Sequence, residues 1–257
     1  MFSMKITFFG TGIIIPTKKR AFPGLLIEIG NEKLLFDCGP GTINRLVQLG
    51  HDTFLLKYIF ITHFHVDHVL DYIALVKSRA LSSRKELNVY GPKGLEKFNK
   101  DVFENVSAFN YISKDLKCFE FLKVKETMSG IVKKTKNWIV TCIPVLHFNG
   151  VAYRIDSLGK SVVYSGDAAP DENIIRLSKD ADLLIHECSY PDEKSLLGLH
   201  TIPSKLADIA KKSNIKKLVL NHLYPECEGR EKEMINKIKE NFGGEVIVAE
   251  DFMEVNV

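Results

Sequence analysis

The segment IFITHFHVDHVLDY, residues 59–72, constrains this chain more than any other stretch. It places His63, His65, Asp67 and His68 together, directly after an apolar run with strand character. On a helix, His63 and His65 would point about 200° apart and could not share an ion. At the end of a strand, residues i and i+2 point the same way. The cluster therefore asks for a strand that ends at its histidines, with Asp67 and His68 opening the turn into a following helix. Three imidazoles and a carboxylate gathered in partly buried space are unfavourable without an ion, so the cluster reads as a metal site.

Three further residues close apolar runs in the same way: His147 after IVTCIPVL, Asp167 after KSVVYSG, and His222 after KKLVLN. Ligands arriving at strand ends are held by a rigid sheet. Together with the cluster they give enough donors for two cations, with one carboxylate bridging. Imidazole and carboxylate without thiolate suit zinc foremost, with manganese or iron as the other candidates. His186 reads as a structural residue buried at a strand end.

The remaining pattern is layered. KITFFG, GLLIEIG and KLLFDCG are short apolar runs closed by turn residues. GTINRLVQLG has helical spacing and stops at Gly50, and VLDYIALVKSRAL carries an apolar helical stripe. A strand-then-helix rhythm returns late in each half. This predicts an α/β (α+β) architecture of sheets facing each other with helices outside, as a single domain over 1–257. The lysine-rich stretch 111–136 reads as a solvated hairpin.

Composition narrows the function classes. A formal charge of +3 over 257 residues provides no strong field for nucleic acid or membrane. Five scattered cysteines without a C-x-x-C pair point to a reducing compartment, hence the cytoplasm. No apolar run approaches the roughly 18 residues of a membrane span, and the first residues lack the features of a signal peptide.

H-x-H-x-D-H with a later His, Asp and His resembles the metallo-β-lactamase superfamily. FFGTG, LLFDCGPG, ITHFHVDH, VYGPKGL, SGDAAP and LNH occur in that family's order and span essentially the whole chain. The resemblance implies a four-layer αββα sandwich with a dinuclear centre between the sheet edges. It implies His63, His65 and His147 for one cation, Asp67, His68 and His222 for the other, and Asp167 as the bridge. Asp37 would orient the ligand loops.

Within the superfamily, the chain is most similar to the ribonuclease Z-like branch. GTGIIIPTKKRA resembles its opening loop, HECSY its H-E-A-T segment, and HTIPSKLADIAKK the start of a helix in that branch. The last two imply that Glu187 and His200 form a proton-donating pair. The branch's homodimers imply a second copy as a partner. There are also departures. The branch inserts a tRNA-clamping arm between its third metal histidine and its bridging aspartate. Here only two strands and a turn separate His147 from Asp167. Val66 replaces the usual glycine, Ala21 an asparagine, and LYPE follows His222.

The expected activity is metal-assisted hydrolysis of a phosphodiester, either RNA or a small diester. Asp67 would orient the attacking water or take its proton, and His200 would protonate the leaving oxygen. An alkoxide leaves poorly and needs a placed acid. The alternatives are another ester class (aryl sulfate, lactone or thioester) or strict tRNA 3′ processing. A diiron redox enzyme would carry Glu where His65 stands, and a non-catalytic module would be expected to lose ligands. For RNA, the candidate contacts are Lys18, Lys19 and Arg20, with the lysines of 111–136.

Overall fold

The computed structural model describes residues 4–191 and 198–257. The first sheet begins with β1 (Met4–Gly10), β2 (Gly24–Ile29), β3 (Glu32–Phe36), β4 (Tyr58–Phe60), β5 (Leu87–Gly91) and β6 (Leu122–Glu126). The second contains β7 (Gly130–Lys134), β8 (Ile139–Pro144), β9 (Val151–Ser157), β10 (Lys160–Tyr164), β11 (Leu183–Glu187), β12 (Lys217–Asn221) and β13 (Glu245–Val248). The chain then returns, and β14 (Glu254–Asn256) pairs antiparallel with β1 at the edge of the first sheet. The strand orders are β14-β1-β2-β3-β4-β5-β6 and β13-β12-β11-β10-β9-β8-β7.

The alternation of side chains builds the layers. Along β2, Leu25, Ile27 and Ile29 face the second sheet, while Leu26 faces the opposite way. In β10, Val162 and Tyr164 face the first sheet and Val163 faces outward. The period of two sends every second residue into the core between the sheets. There Phe36 stacks on Phe60 at 4.8 Å between centroids, with Tyr153 and Tyr164 meeting Phe36 edge-on. The outer faces bury the apolar stripes of helices. On the first sheet these are α1 (Thr42–Gln48), α2 (Val66–Leu81) and α3 (Leu95–Lys100), together with the short α4 (Tyr111–Lys114). On the second they are α5 (Glu172–Leu177), α6 (Pro203–Ser213) and α7 (Glu231–Lys239). Pro203 opens α6, where no backbone donor is lost. The result is the αββα sandwich.

One reading changes and one strand is new. Residues 111–136 are not a hairpin: β6 pairs in parallel with β5, whereas β7 pairs antiparallel with β8 in the other sheet. The stretch carries the chain from one sheet to the other. Its lysines belong largely to the edge strands, where charge blocks edge-to-edge pairing. Leu122 and Val132 are the buried residues that anchor the two strands. The new strand is β14, on which the sequence pattern was silent. Only Val255 of its three residues is buried, too few for a periodic signal.

The topology positions the site. β3, β4, β5 and β6 run parallel, as do β10, β11, β12 and β13. Their carboxyl ends therefore carry the functional loops, as in open α/β sheets generally. β9 turns into β10 through Leu158 and Gly159, both at positive φ, a two-residue hairpin that leaves no room for an arm.

Candidate metal centre

Asp37 leaves the end of β3, His63 and His65 follow β4, and Asp67 and His68 lie in the first turn of α2. His147 follows β8, Asp167 follows β10, Glu187 ends β11, and His222 follows β12. All the metal candidates named from the sequence converge. Donor atoms of His63, His65, His147 and Asp167 lie within 4.8 Å of one another, as do those of Asp67, His68 and His222.

Asp167 divides its carboxylate between the two groups. Its Oδ2 is 3.7 Å from both His63 Nε2 and His147 Nε2. Its Oδ1 is 3.3 Å from His68 Nε2 and 3.1 Å from His222 Nε2. Asp67 Oδ2 is 3.7 Å from His222 Nε2 and 3.9 Å from His68 Nε2. His65 Nδ1 is 3.4 Å from His147 Nε2. Four of these atoms are buried without a hydrogen-bond partner: His63 Nε2, His68 Nε2, His222 Nε2 and Asp167 Oδ1. Buried polar atoms are rarely left orphaned, and donors gathered around common points fit divalent cations.

A hydrogen-bond network fixes the ring orientations. His68 Nδ1 donates to Asp37 Oδ2 at 2.8 Å. His63 Nδ1 meets Thr62 Oγ1 at 3.0 Å, and that hydroxyl donates to Asp37. Tyr164, reaching across from the other sheet, donates to Asp37 Oδ2 at 3.0 Å. With their Nδ1 sides engaged, both imidazoles turn Nε2 into the centre. Asp37 and His222 hold positive φ angles of 57° and 55°, uncommon for residues other than glycine and typical of places where the surroundings impose backbone strain. Gly166 is required next to the bridge, because a Cβ there would stand 2.7 Å from that of Thr62.

Asp37→Asn keeps the shape of this residue and removes its charge. The expected result is a 10–100-fold loss of metal affinity with little change in fold, about the range for orienting partners of metal ligands. Competition with a chromophoric chelator measures it.

The electrostatics agree with a cation site. Burial drives His63 well below the ordinary histidine pKa, with the charge of His68 adding to the effect. Burial also lowers His65 and His147. His68 goes the other way: burial would lower it, but Asp167 and Asp37 together hold it well above the ordinary value. Asp167 resists its own burial because His222 and His68 keep its carboxyl far below the usual range. The pocket thus draws positive charge to the point that a cation would occupy.

Beside it stands a second pair. Glu187, fully buried, receives His200 Nδ1 at 3.0 Å. The same carboxylate accepts the Ala168 N–H at 2.7 Å, Ser189 Oγ at 2.5 Å and Thr201 N–H at 3.2 Å. It therefore also fixes the backbone next to Asp167. The His200 ring lies 5.9 Å from that of His222 and 5.5 Å from that of His147. His186 is fully buried, with Nδ1 on the Glu187 carbonyl at 2.8 Å.

The basic residues of the opening loop separate. Lys18 and Lys19 are exposed. Arg20 is not on the surface with them. Its guanidinium is buried and donates to Thr11 Oγ1 and the Ala249 carbonyl at 2.8 and 2.6 Å. It closes the loop from within, because two fixed oxygens already occupy its fork. Sequence reasoning passed over Thr62, Tyr164, Ser189 and Asp251. Asp251 accepts from Thr11 and Ala21 and pairs with Arg45. Thr11 in turn accepts the Leu223 N–H, beside His222, so this network roots the opening loop at the centre.

Two facing sheets, outer helices and a His/Asp centre at their strand ends define a metal-dependent hydrolase of the metallo-β-lactamase fold. Solved structures agree on the fold. YhfI from Bacillus subtilis superposes with a TM-score of 0.82 at 24% identity, covering 99% of this chain and 100% of that one. The short form of human tRNase Z gives 0.75 at 24%, covering 98% of each. Residues 4–239 match the family described as anti-Pycsar protein Apyc1, and the chain belongs to it. It is also similar to a ribonuclease Z from Thermoplasma volcanium, 30% identical over 305 aligned positions that take in 99% of this chain and 98% of that protein. By its likeness to that relative, the chain is a metal-dependent phosphodiesterase of the ribonuclease Z type.

Proposed function

We propose that the chain hydrolyses small nucleotidyl phosphodiesters at a dinuclear centre, with zinc as the preferred cation. The observation that carries the dinuclear reading is the split of Asp167, whose two oxygens face separate histidine groups. His63, His65 and His147 would hold one cation, and Asp67, His68 and His222 the other. When bound, such cations acidify water and neutralise charge on phosphoryl oxygens.

The chain's own groups supply the rest. Asp67 orients the attacking water and accepts its proton. Burial would raise the Asp67 pKa, but the neighbouring His222 and His68 imidazoles together outweigh this and lower it, which leaves the carboxylate ionised and fit to accept. His200 delivers a proton to the leaving oxygen. Burial opposes its charge, but the Glu187 hydrogen bond and the nearby carboxylate charges together prevail and raise its pKa. The Glu187 contact leaves His200 Nε2 as the donating atom.

The small substrate rests on the two-residue turn between β9 and β10. Where the alignment with the Thermoplasma protein spans 305 positions, this chain has 257 residues, so that relative carries segments absent here. Strict tRNA 3′ processing is the second reading, favoured by the name of that relative. We also assign the protein to the reducing cytoplasm, a reading that its five buried, unpaired cysteines support, and a homodimeric state, on the resemblance to its branch.

Metal-loaded protein should cleave a 3′,5′-cyclic mononucleotide with a higher kcat/KM than either a 3′-extended precursor tRNA or an aryl sulfate. Its KM should change less than about three-fold between roughly 50 and 200 mM salt, whereas a polyanion that neutralises many cations loses orders of magnitude. A faster single cut beside the discriminator base of the precursor tRNA would select the second reading instead.

A further inference from the structure

Phe148 follows the candidate ligand His147 directly and leaves 63% of its surface exposed. Burial does not explain an aromatic ring in this place. The loop that presents it is under constraint: Phe148 has φ 22° and Asn149 φ 61°, consecutive positive values at two residues other than glycine. Such backbone persists only where its surroundings hold it, and here they do. Leu146 donates its N–H to Asp171 Oδ2 at 3.1 Å, and its carbonyl accepts from Ala169 at 3.2 Å. Asn149 Nδ2 donates to the Lys93 carbonyl at 2.5 Å. Asp171, the anchor on one side, also caps α5.

The pinned loop sets the Phe148 ring 5.1 Å from the rings of both His65 and His147. One part of the ring is thus fixed against the metal centre, and the rest is open to solvent. A flat apolar face beside a phosphoryl-binding centre matches one substrate feature, an aromatic base carried on the sugar of the scissile phosphate. Every base has a π-face, so such a platform tolerates different bases while rejecting substrates without one.

We propose that Phe148 is the stacking platform for the base of the substrate and so determines specificity for nucleotidyl over simple alkyl diesters. This rests on the phosphodiester reading of the centre. The test pairs two esters with the same leaving group, thymidine 5′-(4-nitrophenyl phosphate) and ethyl 4-nitrophenyl phosphate. Phe148→Ala should raise KM for the thymidine ester about ten-fold with kcat within about two-fold, and leave the ethyl ester unaffected. Phe148→Trp should restore the wild-type KM. Equal losses on both esters, or no loss on either, would overturn the proposal.

Binding provides a readout independent of turnover. The natural Trp138 is buried, at 1% exposure, so the fluorescence of the Phe148→Trp protein that responds to ligand comes from position 148. Thymidine 5′-monophosphate should quench it saturably and ribose 5-phosphate should not. Quenching by both alike contradicts base stacking. If nucleotide quenches while neither ester is cleaved by the wild type, the platform stands and the phosphodiester reading falls.

Discussion

Asp167→Ala should lower kcat/KM for phosphodiesters by on the order of 10³-fold or more, and metal content should fall from the expected two ions per chain to one or none. Asp167 stands between the two halves of the centre. His63 and His147 face one oxygen, and His68 and His222 face the other. Without it, the two groups of imidazoles would face each other with no carboxylate between them. The second consequence appears in the protein without metal. His68 owes its raised pKa first to Asp167 and then to Asp37, against the effect of burial. Removing Asp167 lowers the His68 pKa, which NMR titration of the imidazole signals reads directly. Metal analysis and steady-state kinetics on the same preparation complete the test. Retention of two ions with normal turnover would exclude the bridging role.

His200→Ala should slow diesters with alkoxide leaving groups by about 10²–10⁴-fold, the usual contribution of a placed general acid. A 4-nitrophenyl ester should lose less than about ten-fold, since nitrophenolate departs without a proton. The pH dependence has a definite sign. Burial works against the charged His200, but the Glu187 hydrogen bond and the charges of Glu187, Asp167 and Asp67 together outweigh it and raise the pKa above the ordinary 6.5. The acid form therefore persists above that value, and turnover of alkyl diesters declines as pH rises through the raised pKa. Glu187→Gln removes the charge that holds the proton. Burial then weighs more heavily against the charged form, and the alkaline limb should move to lower pH. A limb that stays in place in Glu187→Gln assigns the proton to another group.

The convergence of the candidate ligands was legible because they carry a local signature. His63 and His65 at i and i+2 demand extended backbone, and the structure gives it: both lie between the end of β4 at Phe60 and the start of α2 at Val66. The sandwich was legible because residues such as Leu25, Leu26 and Ile27 alternate between two apolar interiors. What stayed hidden depends on approach between distant elements. Tyr164 and Thr62 look like ordinary strand and loop residues until the sheets bring them both to Asp37. Arg20 reads in sequence like Lys18 and Lys19, and only the folded loop shows that its guanidinium turns inward. Residues 111–136 misled for a similar reason. Two adjacent strands suggest a hairpin, yet β6 and β7 find their partners in different sheets. Local pattern identifies a strand but not the neighbour it pairs with.

The most direct test of the dinuclear phosphodiesterase is a calorimetric zinc titration of the metal-free wild-type protein, with diester hydrolysis followed on the same samples. The account predicts two equivalents per chain and activity that reaches its maximum only as the second is bound. Saturation at a single equivalent with full activity would contradict it.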